Sequence, residues 1–196
     1  MGRNCRTAKE HRPPLSTTDS RRITHMQKTP SKVWWRQVPT PAGGLVIIMT
    51  GDTLRTEWAA LHKGPTGRED RRLLPELAAW VRAALREPSG PPPVAVPEGP
   101  PFYRACWLAC RRIKLGRTRT YAQLATSAGS PRAIRAAGGA MRANPLPLLT
   151  PCHRVLGTSS LGGFHGTARR GTALALKEKL LSIEAAMADT MRGSTP

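Results

Sequence analysis

The first 32 residues are polar and basic and show no hydrophobic periodicity, so they read as a disordered arm. The first patterned segment is Leu45-Val46-Ile47-Ile48-Met49. This apolar, β-branched run lies between two turn signals, Thr40-Pro41-Ala42-Gly43-Gly44 and Thr50-Gly51-Asp52. That arrangement predicts one or two hairpin strands within 33–60. From Leu73 to Leu85 the period changes to helical: Leu73, Leu74, Leu77, Trp80, Val81, Ala84 and Leu85 share one face. Residues 88–101 are dense in Pro and Gly and read as a linker.

Helical spacing returns at Phe102–Ile113, where Phe102, Ala105, Cys106, Ala109 and Ile113 recur at intervals of three and four; Gly116 ends the segment. Thr120-Tyr121-Ala122-Gln123 fits a capping box opening a short helix, Tyr121–Ser127, which stops at Gly129. Ser130-Pro131 supplies an N-cap and an N1 proline for a second helix from Pro131 to about Ala143. Two short helices around a glycine-containing turn, in a basic context, predict a helix-turn-helix. Many proteins that never meet DNA share that geometry.

In the second helix, Ile134, Ala137 and Met141 form the apolar stripe, and Arg132, Arg135 and Arg142 occupy another face. Gly138 and Gly139 sit in its middle, where each glycine costs roughly 1 kcal/mol relative to Ala. A helix that accepts this cost has something close against its backbone, either a nucleic-acid groove or a neighbouring helix. A small-residue surface edged by arginines suits the minor groove.

Composition narrows the picture. The 196 residues allow one ordinary domain or two small ones, and 39% hydrophobic content is enough for a core. No apolar stretch reaches about 18 residues, which argues against a transmembrane helix. The N-terminus has no continuous apolar region of the secretory type, so the cytoplasm (a bacterial cytoplasm and nucleoid) is the expected compartment. Cysteines at 5, 106, 110 and 152 form neither a disulfide framework nor a clean zinc spacing.

Charge discriminates further. The formal net charge is +19, distributed as +7 over residues 1–40, zero over 41–100 and +12 over 101–196. A neutral middle segment argues against a uniformly basic composition. The C-terminal half looks built to meet a polyanion, most simply nucleic acid. The alternative is a basic surface that only solubilises the protein.

The chemistry centres on residues 144–155. Asn144-Pro145-Leu146-Pro147 is an extended turn, because residues before proline avoid the helical region. Pro151-Cys152-His153-Arg154-Val155 then holds a cysteine on a rigid segment expected to be extended. A thiolate is the reactive form of cysteine, and a neighbouring base or cation raises its fraction. Adjacent residues on an extended chain point apart, so contact between Cys152 and His153 needs a bridging water. A buried structural cysteine is the competing reading. Cys106 and Cys110, four apart on a helix, read as small core residues.

Three runs taken together are more specific: Tyr121-Ala-Gln-Leu-Ala, then Arg135-Ala-Ala-Gly-Gly-Ala-Met-Arg-Ala-Asn144-Pro-Leu-Pro147, then Pro151-Cys-His-Arg-Val155. In this register they resemble the methylated-DNA–protein-cysteine methyltransferases, also called O6-alkylguanine-DNA alkyltransferases. The likeness is strong over residues 98–186 and one of layout over 38–97.

The resemblance implies roles residue by residue. Cys152 is the alkyl acceptor, His153 its base acting through water, and Glu184 the carboxylate that orients the histidine. Asn144 braces the turn. Tyr121 contacts the phosphate and guanine of a flipped nucleotide. Arg135 enters the duplex in place of the extruded base; Arg132, Ala133 and Arg142 complete the DNA-binding set. Met141, Pro147, Val155 and Phe164 line the guanine pocket. The implied reaction is a single, stoichiometric transfer from O6-alkylguanine, and from O4-alkylthymine, with no metal and no cofactor. The implied partner is double-stranded DNA containing alkylated guanine, met by a monomer without a membrane.

The implied fold is an α/β N-terminal domain with a small antiparallel, ribonuclease-H-like sheet, followed by a mostly α C-terminal domain with a helix-turn-helix. The boundaries would be an arm at 1–32, the α/β domain and linker at 33–97, the DNA-binding and transferase domain at 98–188, and a flexible tail at 189–196. Two departures stand out: residues 164–171 make a longer loop than the family pattern, and Thr150 replaces an apolar residue. The remaining alternatives are a non-catalytic binder of alkylated DNA and a helix-turn-helix regulator.

Overall fold

In a computed structural model of the chain, the described residues are 32–61, 64–87, 89–164 and 171–193. The expected arm, Lys32 excepted, and most of the long loop lie outside them.

The first hairpin signal resolves into three strands: β1 (Val33–Thr40), β2 (Gly43–Thr50) and β3 (Thr53–Trp58). They pair antiparallel through two tight turns, with Thr40 opposite Gly43 and Thr50 opposite Thr53. Leu45, Val46, Ile47 and Ile48 are all buried, so β2 is covered on both faces. This explains why its sequence is a continuous apolar run rather than an alternating one.

A two-residue strand, β4 (Arg68–Glu69), adds to the other edge of β1 in parallel, giving the order β3-β2-β1-β4. The sheet is therefore mixed, where the family resemblance implies a small antiparallel one. Side-chain contacts secure the addition. Arg68 lies over the Trp34 ring at 5.4 Å, and the Trp35 indole donates to Gly67 O at 3.4 Å. A strand this short carries no periodicity to read.

The helix predicted at 73–85 is α1 (Pro75–Ala83). It starts at its proline because Leu74 takes a left-handed conformation, φ 43°. Leu77, Ala78 and Val81 face the core. Next, α2 (Pro101–Arg111) buries Cys106, Trp107, Ala109 and Cys110. Both its cysteines are fully buried and free, and burial pushes the Cys106 thiol up to about 11, as core residues would require.

A short strand, β5 (Arg119–Thr120), leads into α3 (Tyr121–Ser127). The capping box forms as predicted: Thr120 Oγ1 accepts from Gln123 N at 3.2 Å, and Gln123 Oε1 accepts from Thr120 N at 2.9 Å.

The following helix, α4 (Ile134–Arg142), starts three residues later than its N-cap signal predicts. Ser130 is already committed to the end of α3. Its amide donates to Ala125 O at 2.9 Å, and the Gly129 amide donates to Thr126 O at 3.0 Å, with Gly129 at φ 84°. That is a Schellman closure, and it leaves residues 130–133 as a separate turn.

The cost of Gly139 has a structural account. A Cβ there would lie 2.7 Å from the Tyr103 hydroxyl, so α2 packs directly on this stretch of α4. At Gly138 a Cβ would meet nothing within 4 Å.

One turn of 3-10 helix (Cys152–Arg154) precedes β6 (Val155–Leu156), which pairs in parallel with β5. That ladder brings the start of α3 beside the Cys152 segment. The chain closes with α5 (Thr172–Gly193), which runs through the first residues of the expected tail. Among the described residues no helix is long and apolar enough to cross a membrane. From Lys32 onward the chain forms one compact unit, and its buried apolar residues make one continuous core from the sheet to α5.

Candidate active site

The site is built on the turn 144–151. Asn144 folds the turn on itself: its Oδ1 accepts from Leu146 N at 3.0 Å and its Nδ2 donates to Thr150 O at 2.8 Å. Pro145 and Pro147 have no amide hydrogen, so only their carbonyls need partners. Thr56 on β3 satisfies both, donating from its amide to Pro145 O at 2.9 Å and from its hydroxyl to Pro147 O at 3.0 Å. Leu148 sits at φ 73°, a conformation costing on the order of 1–3 kcal/mol that only an over-determined turn retains.

After Pro151 the chain does not run extended as the sequence predicts. Arg154 N donates to Pro151 O at 2.9 Å, closing a tight turn over Cys152–Arg154. This turn sends His153 inward, where it is fully buried. Its Nε2 lies 2.8 Å from Glu184 Oε1.

Arg154 grips the same carboxylate twice, donating from Nε to Oε2 and from Nη2 to Oε1, both at 2.8 Å. Burial opposes ionisation of Glu184, but bonds and charge from His153 and Arg154 outweigh it and hold its carboxyl down at about 2. Burial, together with the charges of Arg154 and Lys177, lowers the His153 pKa despite the pull of Glu184. A neutral imidazole donating from Nε2 to an ionised Glu184 leaves Nδ1 as an acceptor. Among the described residues that buried nitrogen has no hydrogen-bond partner.

Cys152 is 6% exposed. Burial raises its thiol pKa. An Asn144 side-chain bond, the Lys177 charge and the amides of Cys152 and His153 act the other way. The net direction is upward, so the resting thiol is protonated at neutral pH. Tyr121 is half-buried and donates to Gly163 O at 3.3 Å; burial, then Cys152 and Cys110, raise its pKa.

Of the remaining predicted residues, Met141, Pro147, Val155 and Phe164 are all buried. Arg132, Arg135 and Arg142 are exposed, and Ala133 is half-buried at the start of α4.

The sequence reading missed Lys177. It is fully buried and donates to three carbonyls: Val155 at 2.7 Å, Leu161 at 2.6 Å and Gly163 at 3.3 Å. Its Nζ also lies 5.9 Å from the Phe164 ring centre. Burial pulls its pKa down to about 8. The signal was present. Ala173, Leu176, Leu180 and Glu184 define the buried stripe of α5, and Lys177 falls on it at helical spacing. A charge on an apolar stripe needs buried partners.

Lys177→Met leaves three acceptors unpaired, and is expected to cost about 2–4 kcal/mol in urea unfolding. Hydrogen exchange at residues 156–163 is expected to speed up. An unchanged midpoint with unchanged exchange contradicts this.

Residues 101–186 match a family model described as "6-O-methylguanine DNA methyltransferase, DNA binding domain". The helical half, with its thiol site and its paired short helices, thus falls in a class of DNA-binding transferase domains. Three relatives share the name methylated-DNA–protein-cysteine methyltransferase. The constitutive protein of Bacillus subtilis is 43% identical over 167 residues, covering 77% of this chain and 94% of its own length. The Haemophilus influenzae protein is 40% identical over 170 residues, covering 78% and 89%. The Mus musculus protein is 38% identical over 129 residues, covering 62% of this chain and 58% of its own length.

A crystal structure of Mycobacterium tuberculosis OGT in complex with DNA has a TM-score of 0.63 at 26% identity, covering 79% of this chain and 94% of that one. This chain belongs to the methylated-DNA–protein-cysteine methyltransferase family.

Proposed function

We propose that this protein repairs DNA by moving the alkyl group of O6-alkylguanine onto its own Cys152, once per molecule. The observation that carries the proposal is the buried cluster behind the cysteine. An ionised Glu184 shared by Arg154 and His153 leaves the histidine Nδ1 free to accept a proton. Family membership supplies the reaction type, methyl transfer from DNA to a protein cysteine.

The chemistry follows from the charges. The resting thiol is protonated, so its proton must leave as sulfur attacks. His153 Nδ1 receives it through a water, and the Glu184 carboxylate stabilises the imidazolium that forms. Sulfur displaces guanine at the alkyl carbon in one SN2 step. The C–O bond breaks, the C–S bond forms, and the electron pair passes to the purine. The Tyr121 hydroxyl, kept protonated, donates toward the departing base. The thioether is inert and nothing regenerates the thiol, which makes the protein a single-use reagent. The same displacement extends to O4-alkylthymine.

A 6% exposed thiol cannot reach a base inside a duplex, so the lesion must leave the stack, at a cost of a few kcal/mol. The exposed Arg135 and Arg142 lie on α4, with Arg132 on the turn before it and Ala133 at its start, and they act with α3 as a helix-turn-helix on double-stranded DNA. Phosphate contacts supply affinity independent of sequence. Arg135 fills the space of the extruded nucleotide. Met141, Pro147, Val155 and Phe164 form the apolar walls that receive the guanine. The protein acts as a monomer, and the sheet of the N-terminal half corresponds to a ribonuclease-H-like domain.

Incubation with a duplex containing O6-methylguanine, followed by intact-mass measurement, tests this reading. A gain of one methyl, mapped to Cys152, is expected. The deep burial of Cys152 gives some weight to a second reading, a binder of alkylated DNA that performs no transfer. Tight lesion binding without mass gain would select it.

Arg135→Ala is expected to slow repair of duplex substrate by about tenfold or more, through the unpaid cost of extrusion. Its reaction with free O6-benzylguanine should be nearly unimpaired. Equal slowing on both substrates would place Arg135 in the chemistry or the fold.

A further inference from the structure

Thr150 lies two residues before Cys152, in a run that is otherwise apolar, and is fully buried. Four hydrogen bonds meet on it. Its amide donates to Leu146 O at 2.8 Å. Its carbonyl accepts from Asn144 Nδ2 at 2.8 Å and from Cys152 N at 2.7 Å. Its hydroxyl accepts from Arg111 Nε at 3.1 Å. The first three are made by the backbone and would survive any side chain. The fourth depends on this threonine.

Arg111 is equally specific in its placement. Its Nη1 donates to Val94 O at 2.7 Å and its Nη2 to Ala95 O at 3.2 Å, both on the proline-rich linker. Among the described residues it has no carboxylate partner; its acceptors are two neutral carbonyls and one hydroxyl. Burial lowers its pKa from the ordinary arginine value. A guanidinium so placed uses the rigid geometry of its planar fork to fix three acceptors in relation to one another.

The two residues together form a chain of positions. The linker holds the guanidinium, the guanidinium holds the Thr150 hydroxyl, and the Thr150 carbonyl holds both Asn144 and the Cys152 amide. The Asn144 side chain in turn lowers the pKa of the Cys152 thiol, against the effect of burial. A shift of Thr150 therefore moves the sulfur and the group that stabilises its anion at the same time.

We propose that Arg111 and Thr150 are a coupled pair of positioning residues for the Cys152 thiol, with Arg111 anchoring the active-site turn to the proline-rich segment at Val94–Ala95 through the Thr150 hydroxyl. The pair touches neither lesion nor reacting atoms and acts through Asn144 and the Cys152 backbone. This rests on Cys152 being the alkyl acceptor, so the wild-type protein is assayed first on O6-methylguanine duplex. No methyl gain there removes that reading and the inference with it. A gain leaves the inference to be judged on the variants.

Thr150→Val keeps the shape of the side chain, the three backbone bonds and both linker bonds of Arg111, and removes only the acceptor. Under single-turnover conditions at saturating duplex, the transfer rate is expected to fall by about tenfold, a plausible effect of small misplacement at a reacting centre. Lesion affinity should stay constant. The acid limb of the pH–rate profile should move to higher pH, because Asn144 then stabilises the thiolate less well; a merely structural loss would leave the profile in place. Thr150→Ser, which restores the oxygen, is expected to recover most of the rate.

Arg111→Gln approaches the same bond from the other side. Adding Thr150→Val to it should produce no further loss. If Thr150→Val is poorly folded, the Ser variant and Arg111→Gln still decide the matter through rate and pH profile. Wild-type rate and profile in Thr150→Val, or strictly additive losses in the double variant, overturn the proposal.

Discussion

Cys152→Ala is expected to gain no methyl from an O6-methylguanine duplex while binding that duplex as tightly as the parent protein. The substitution removes one buried sulfur and no charge, since burial keeps the resting thiol protonated. Its structural cost is the loss of a small apolar group, on the order of 1 kcal/mol. The bonds that shape the turn, from Asn144 to Thr150 and from Cys152 N to Thr150 O, involve no part of that side chain. Binding and chemistry therefore separate cleanly here. Intact-mass spectrometry alongside a lesion-binding titration reads both. Methyl gain in the alanine variant would move the acceptor elsewhere, and loss of binding would mean that the sulfur supports the fold.

Glu184→Gln carries the second large effect, and it acts on both stability and rate. Glutamine keeps the size of glutamate and can still accept hydrogen bonds, but it cannot carry charge. It leaves the Arg154 guanidinium facing a neutral partner in a site where the carboxylate is 1% exposed. Breaking a buried pair from one side costs about 3–5 kcal/mol.

The pH dependence has a definite sign. The carboxyl is held at about 2 in the folded protein, below its ordinary 4.5. Its contribution to stability is full above the ordinary value and is lost as pH falls toward 2. The shift corresponds to on the order of 3 kcal/mol. Urea unfolding of the parent protein should show this acid loss between about pH 4.5 and 2, and the glutamine variant should lack it. On the rate side, an imidazolium without its anion forms less readily, and transfer should slow by about a hundredfold. An unchanged rate would take Glu184 out of the proton path and leave it a structural role.

What could be read from the sequence was what is local. The Thr120–Gln123 capping box, the turns at Pro41–Gly43 and Gly51–Asp52, and the helical stripe of α2 all depend on residues a few positions apart. The cysteine, its histidine and Glu184 were accessible through their register with a known motif. Features that depend on tertiary competition were not. Ser130 has the chemistry of an N-cap, yet the end of α3 claims its backbone first, and α4 begins at Ile134 instead. The strand β4 has no pattern of its own and exists because β1 offers an edge beside Trp34 and Trp35. Arg154 looked like a cation available to the thiol. The tight turn at Cys152–Arg154 points it at Glu184, where it sets the charge of the pair behind His153. Lys177 was hidden by the habit of reading a lone charge on a helix as solvated. Its position among Ala173, Leu176 and Leu180 argues otherwise.

The two hydrogen bonds from Thr56 have a genetic corollary. The strand that supplies them contributes no group to the proposed chemistry, and a truncated helical half would leave the Pro145 and Pro147 carbonyls without these donors. Random mutagenesis scored by survival under alkylating agents should therefore recover hits at Thr56, although it lies far from the proposed acceptor sulfur in the primary structure. Such alleles would look like folding defects in a thermal melt and like repair defects in a cell.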